Sequence, residues 1–334
     1  MKTKNIRKFL YAALFSLVAA MLTISCVHIF KNQINNINTW QYNATYDFKL
    51  VENESQGQKQ LFLDVETPEQ LAGAFNALAI VHKPSMDILD GGGSSPSRPS
   101  KPTPSTGTNT KSDVTINDVA NKISEFEKES TVVRLTKNLT FDNAKYNWVP
   151  ADFSGTFDGA GFVISGLRIS SSNENIGFVA TNSGTIKNII FKDVVITCNV
   201  SAGSASKVGI VAATNSGTIK NVNIIGNSSV TANLNSSSNS DTNRQVGGIA
   251  AVNTGTIMYC INRASVTYGK HIGGIAGISS GTIQYCYNYG EVKAVETTKS
   301  NYVRIGGIVG ELHGVLEQCA VEHDEVKQAE YDAL

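Results

Sequence analysis

Five short apolar phrases, each closed by a glycine turn, set the rhythm of the second half of the chain. Ile176-Gly177-Phe178-Val179-Ala180 leads to Asn182-Ser183-Gly184-Thr185-Ile186, and Val208-Gly209-Ile210-Val211 leads to Asn215-Ser216-Gly217-Thr218-Ile219. Val246-Gly247-Gly248-Ile249-Ala250 leads to Asn253-Thr254-Gly255-Thr256-Ile257, and Ile272-Gly273-Gly274-Ile275-Ala276 to Ser279-Ser280-Gly281-Thr282-Ile283. The last copy, Ile305-Gly306-Gly307-Ile308-Val309, ends in a worn turn, Gly314-Val315-Leu316. Successive turn glycines stand 33, 38, 26 and 33 residues apart. A repeat of this size cannot bury its own apolar face, so the pattern predicts repeats stacked on one another. Equivalent strands then lie about 4.8 Å apart and their side chains form ladders. Ile189, Val222, Cys260, Cys286 and Cys319, each five residues past a turn glycine, make one such ladder. The isoleucine or leucine three positions earlier would face the other way in a straight strand, so a bend or bulge is predicted between them.

The fold class that follows is mainly β: a right-handed parallel β-helix or solenoid, its hand taken from the rule for parallel crossovers. Extra residues fall at Thr197–Lys207 and Asn227–Gln245, rich in Ser and Asn, and these are expected to protrude as loops. Upstream, Asn117 is read as the cap of a short helix in which Val119, Ile123 and Phe126 share a face, covering the open end of the sheet. Thr131–Leu135 reads as a strand, and Phe153–Gly159 as a strand running into a tight turn.

The first third is organised differently. Residues 1–8 form a basic leader with Lys2, Lys4, Arg7 and Lys8, followed by an uncharged run over 9–30. Its 22 residues can cross a hydrocarbon core as a helix, and the basic flank keeps the N-terminus inside. The expectation is a signal anchor, with residues 31–334 outside the cytoplasm and 9–30 as the membrane contact. Two alternatives stay open. Val18 and Ala20 offer a cleavage site that would release a secreted protein, and Ser25-Cys26 resembles a lipobox in which Cys26 is the lipidation candidate. Residues 31–90 are read as a small membrane-proximal segment with a strand at Leu61–Val65 and a helix opened by Thr67, Pro68 and Gln70, burying Leu71, Phe75 and Leu78. Residues 91–112 are a Gly/Ser/Pro linker, leaving 113–334 as the repeat domain.

Composition narrows the partners. Lys plus Arg equals Asp plus Glu at 28 each, so there is no overall basic excess to release counterions, and nucleic acid is not expected as a ligand. Charged residues make up 17%, against about 25% in average soluble chains, which suits strands and turns more than helices.

The phrase Gly-Gly-Ile-Ala-Gly-x-x-x-Gly-Thr-Ile-x-x-Cys at 273–286, with Cys286-Tyr287-Asn288-Tyr289-Gly290-Glu291-Val292, resembles the GLUG repeat. Trp148-Val149-Pro150 through Phe153–Gly159 and Ile164–Leu167 is similar to the segment that leads into such repeats. The resemblance spans roughly residues 113–330. It implies an exported bacterial surface protein with a β-helical stalk or adhesin-like region, sometimes alongside protease domains. This chain carries no protease motif, no other large domain and no cell-wall sorting motif.

Candidate chemistry is sparse. Gly277-Ile278-Ser279-Ser280-Gly281 has the spelling of a nucleophile elbow, but a strand rather than a helix is expected after it. His313, Cys319, His323 and Glu311 could be gathered on paper into a metal site, with spacing that matches no standard zinc pattern. Asp142, Asp152 and Asp158 are the acids a polysaccharide-lyase reading would need, and Asp158 fits a turn before Gly159 better. Cys198, Cys260, Cys286 and Cys319 are expected as free thiols, and the acidic stretch Glu322–Asp332 as a polar end to the last repeat. The six Asn-x-Ser/Thr sequons at Asn43, Asn53, Asn138, Asn199, Asn227 and Asn235 are what chance gives in so Asn-, Ser- and Thr-rich a chain. No catalytic, cofactor or metal residue is assigned. The function expected is non-enzymatic: a surface protein displaying the solenoid for adhesion to a glycan or protein ligand, or as a stalk. Its rivals are a carbohydrate-active enzyme and a fragment of a larger surface protein; oligomeric state is not legible.

Overall fold

A computed structural model describes residues 43–55, 58–81, 114–126, 130–143, 147–199, 205–232, 244–294 and 303–322. The expected anchor at 9–30, Cys26, the linker at 91–112, His323 and nearly all of the acidic stretch lie outside the described residues. Among those described, no helix is long and apolar enough to cross a membrane.

The described residues are mainly β, with strands in four sheets and parallel pairing throughout the repeats. Each repeat contributes to all four. The Gly-Gly-Ile phrases pair along Asn175–Ile176, Ser206–Gly209, Arg244–Gly247, His271–Gly273 and Arg304–Gly306. The next sheet runs through Val179–Asn182, Ala212–Asn215, Ala250–Asn253, Ala276–Ser279 and Val309–Leu312. After the turn glycine, Thr185–Lys192, Thr218–Ile225, Thr256–Met258, Thr282–Gln284 and Val315–Glu317 join the largest sheet. A fourth sheet holds Arg168–Ser171, Val195–Cys198, Ser229–Ala232, Ser265–Thr267 and Val292–Lys293.

Register explains the core. Ile186, Ile219, Ile257 and Ile283 stand opposite one another in successive strands, all with no exposed surface. Three positions on, Ile189, Val222, Cys260 and Cys286 are equally buried. The bend expected between the two ladders is present in every repeat. Asn188, Asn221, Tyr259, Tyr285 and Gln318 all have φ between 50° and 55°, so one left-handed residue turns both flanking side chains inward.

The region read as a separate membrane-proximal segment continues this sheet. Lys49–Ser55 pairs antiparallel with Gln58–Val65, and Leu61–Val65 pairs parallel with Thr131–Leu135. Arg134 clamps the joint with two hydrogen bonds to Asp64, 2.8 and 3.0 Å, and its guanidinium lies 4.2 Å from the Phe62 ring. Helix α1, Pro68–Val81, opens as the Thr67-Pro68-Gln70 pattern predicts: the Gln70 N–H donates to Thr67 Oγ1. Its side-chain oxygen accepts from Glu66 N–H, one residue before the position a standard capping box would use. Phe75 of α1 lies 4.8–5.9 Å, ring to ring, from Trp148, Phe153, Phe157 and Phe178. Helix α2, Ile116–Ile123, is capped by Thr115 and not by Asn117, because Thr115 and Asp118 exchange side-chain and backbone hydrogen bonds reciprocally. So the N-terminal end is closed by two helices and an added hairpin.

The other end differs. Ile305, Leu316 and Val321 are 39–50% exposed, whereas their register partners Ile272, Ile283 and Asn288 are fully buried.

Between the fourth sheet and the next Gly-Gly-Ile strand lies the corner where repeat length varies. The connections are 172–174, 199–205, 233–243, 268–270 and 294–303. Thr197–Cys198, Ser206–Lys207, Ser229–Ala232 and Arg244–Gln245, parts of the two stretches expected as loops, belong to strands instead. Residues 200–204 and 233–243 lie outside the described residues.

Candidate functional site

The residues singled out by sequence are dispersed. Ser279 has no exposed surface, its Oγ accepts a hydrogen bond from Asn253 Nδ2 at 3.0 Å, and the strand Thr282–Gln284 follows it. It cannot be presented as a nucleophile. Asp158 Oδ1 accepts from the Ala160 N–H at 2.9 Å and from Asn188 Nδ2 at 3.1 Å, the geometry of a turn residue. Among the described residues no three His, Cys, Asp or Glu side chains gather as a metal site would require.

What Ser279 does belong to is a buried ladder that sequence reading missed. Asn182 Nδ2 donates to Asn215 Oδ1, and Asn215 Nδ2 to Asn253 Oδ1, each at 2.8 Å. A shorter copy joins Asn262 Nδ2 to Asn288 Oδ1 at 2.9 Å. All five asparagines have no exposed surface. The signal was the Asn two places before the turn glycine, which reads as an ordinary turn residue when its burial is unknown.

Among the described residues the cysteines are free: Cys260 and Cys286, buried, and Cys319, half-buried, continue the ladder of Ile189 and Val222, while buried Cys198 stands in the fourth sheet opposite Ser171 and Ala232. Hydrogen bonding to the Cys260 sulfur, then burial, pushes the Cys286 thiol well above its ordinary value; Cys286 and burial do the same to Cys319. Thiols held protonated are poor nucleophiles and poor ligands.

Of the described members of the paper metal site, Glu311 and His313 meet and Cys319 stands apart in the ladder. Glu311 instead anchors a polar cluster: Oε2 lies 2.7 Å from His271 Nε2 and 3.0 Å from Arg304 Nη1, and Oε1 lies 2.9 Å from His313 Nε2. His271 is buried, and its Nδ1 has no hydrogen-bond partner among the described residues. Burial holds the His271 pKa below the usual histidine value, with the Arg304 and Lys270 charges acting alike and Glu311 opposing. For Glu311, burial is outweighed by the His313 hydrogen bond and the charges of Arg304, His271 and His313, which hold its carboxyl below the ordinary range.

Both shifts act in one sense on stability. The unfolded chain protonates its histidine near pH ~6.5 before folded His271 does, so stability falls as pH drops from there toward the folded value. Glu311 contributes stability above its unfolded pKa and loses it as pH falls through its lower folded one. The thermal midpoint is therefore expected to decline continuously from pH 7 to pH 4. His271→Gln should flatten the upper part of that decline and, by removing one of the charges that lower the Glu311 pKa, reduce the lower part less. A midpoint that does not move across this range, or a variant profile parallel to the parent's, would contradict the assignment.

An exposed aromatic group lies on another wall. Tyr259, Tyr285 and Tyr287 are 48%, 37% and 39% exposed. With Ile261 they line an open hollow of about 380 Å³. Tyr259 and Tyr285 stack with ring centroids 4.9 Å apart and planes 9° from parallel. Lys220 Nζ lies 5.8 Å from the Tyr259 ring.

No protein-family model matches the chain, and no curated protein matches it. A solved crystal structure from Bacteroides ovatus, described as "a putative immunoglobulin A1 protease", is similar over 57% of this chain and 68% of that one, at 20% identity and a TM-score of 0.39. A likeness that slight carries neither fold nor activity across.

Proposed function

We propose that the chain is a non-enzymatic surface protein whose repeats form a right-handed parallel β-solenoid held outside the cell, for adhesion or as a stalk. One observation carries this reading: successive repeats lay strands in register across four sheets, so that the interior is filled by side-chain ladders and the walls remain as long outward surfaces. Stacks of this kind serve as extended binding surfaces. The GLUG-like phrases at 273–292 and the lead-in at 148–167 favour the same reading. Residues 9–30 would hold the chain at the membrane as a signal anchor, with cleavage or acylation at Cys26 as the competing modes of delivery.

The test is protease treatment of intact and lysed cells producing the full chain, followed by peptide mapping. Fragments from the exposed positions of 113–334 should appear with intact cells. Protection of that whole region until lysis would sink the display reading.

A further inference from the structure

We propose that the hollow formed by Tyr259, Tyr285, Tyr287 and Ile261 binds a neutral glycan chain; this rests on the surface-display reading and assigns that surface a ligand class. The first ground is backbone conformation. The corner residue of every repeat is left-handed, which asparagine tolerates and bulky residues do not. Asn188 and Asn221 occupy it in two repeats, joined by a 3.0 Å hydrogen bond from Asn221 Nδ2 to Asn188 Oδ1. The next two repeats place Tyr259 and Tyr285 there, with φ of 55° and 53°. Two adjacent tyrosines, both substantially exposed, thus sit in a conformation that bulky side chains disfavour, as does Gln318 in the last repeat, and strain of this sort gathers at functional positions.

The second ground is the chemistry of the lining. Three aromatic side chains and one isoleucine supply apolar ring surface, and the tyrosine hydroxyls supply donors and acceptors at its rim. None of the four lining residues is charged; the nearby Lys220 Nζ, 5.8 Å from the Tyr259 ring centroid, is engaged with the ring face, so the lining itself offers an ionic ligand no paired charge. A sugar ring has matching parts: C–H faces that pack on aromatic surface and hydroxyls that hydrogen-bond at its edge.

The third ground tells against a peptide. Extended peptides are usually held by adding a strand to a free sheet edge. Here Thr256–Met258 is paired on both sides, by Thr218–Lys220 and Thr282–Gln284. Ile261–Asn262 is likewise flanked by Asn223–Ile224 and Tyr287–Asn288. The main chain under the hollow has no edge to offer, and recognition falls to the side chains.

The experiment applies the full chain, in mild detergent, to immobilised neutral glycans (β-glucan, mannan, galactan), anionic glycans (hyaluronan, polygalacturonate) and proline-rich peptides. The key variant is Tyr259→Asn combined with Tyr285→Asn, because asparagine is what the same corner holds in two other repeats. A second variant, Tyr287→Ser, leaves the left-handed positions untouched. The expected result is retention of the parent on at least one neutral glycan, weakened about ten-fold in each variant, with the Asn variant melting no lower than the parent. Equal retention by the variants, retention only on anionic glycans or peptides, or no retention on any of these probes would overturn the site. A lower melting temperature in the Asn variant would also overturn it, by making the tyrosine stack a structural element. Protease accessibility on cells reads the display question separately, so a chain exposed on cells that fails these binding tests loses the site and keeps the display reading.

Discussion

Gly255→Ala is expected to cost about 4 kcal/mol or more, enough to prevent accumulation of folded protein in many hosts. A Cβ at that position would lie 2.1 Å from the Gly217 carbonyl oxygen and 2.6 Å from the Ser216 carbonyl carbon. Both atoms are backbone, and neither can swing aside. The same contact recurs one repeat earlier and one later: a Cβ at Gly217 would meet Gly184 O at 2.1 Å, and at Gly281 would meet Gly255 O at 2.0 Å. Relief requires the repeats to part locally. That would break the bonds from Gly255 N–H to Asn215 O, 3.1 Å, and from Thr256 N–H to Gly217 O, 2.9 Å. The constraint is close approach and not dihedral freedom, which makes Gly161 the informative control. Gly161 has φ of +83°, and a Cβ there would meet nothing within 4 Å, so Gly161→Ala should cost only about 1 kcal/mol of backbone strain. Urea unfolding of both variants measures the difference, and equal losses would dismiss the close-approach account.

Asn215→Ala comes next, at about 3 kcal/mol or more. Asn215 accepts from Asn182 Nδ2 and donates to Asn253 Oδ1, so its removal takes a partner from each neighbour inside a fully buried row. Leaving a buried polar atom unpaired costs about 1–3 kcal/mol, and a cavity adds to it. Asn182 Nδ2 would keep contacts with Gly184 O and Thr218 O, both longer at 3.3 Å, while Asn253 Oδ1 would lose the donor it has from Asn215. At the end of the row Ser279 Oγ receives a single hydrogen bond from Asn253. Ser279→Ala should accordingly cost about half as much or less. Should thermal or urea unfolding rank the two variants equally, the interior of the row would be no more demanding than its end, contrary to the geometry.

The repeats were legible because their determinants are local. Apolar spacing identified the ladders through Ile186 and Ile189, and the mismatch of three positions between them implied the bend that Asn188 provides. Helix α1 was readable from Thr67, Pro68, Gln70 and the face of Leu71, Phe75 and Leu78, all buried. Helix α2 was legible as an element, but Asn117 is an equally good cap by residue type, and only the reciprocal bonds of Thr115 and Asp118 decide its start. The pairing of Leu61–Val65 with Thr131–Leu135 was not legible, since nothing in a local window records which distant strand another will join. The tyrosine hollow escaped for a different reason. Tyrosine favours strands by propensity, and the left-handed corner that Tyr259 and Tyr285 occupy contradicts that preference. The Glu311 cluster likewise joins His271, Arg304 and His313 from separate strands and one turn, with no motif spacing to announce it.

The uneven corner between the fourth sheet and the Gly-Gly-Ile strands has a consequence for how such a chain can change over generations. Connections of three residues at 172–174 and 268–270 coexist with eleven at 233–243. The strands on either side stay in the same alignment: Ser171, Cys198 and Ala232 before the corner, and Ile176, Val208, Val246 and Ile272 after it. Closing the longer connection rather than the shorter costs only about 1 kcal/mol of chain entropy. The turn glycines, by contrast, hold adjacent backbones too near for even a methyl group. A residue gained or lost at this corner therefore disturbs the stack far less than one gained at a turn glycine.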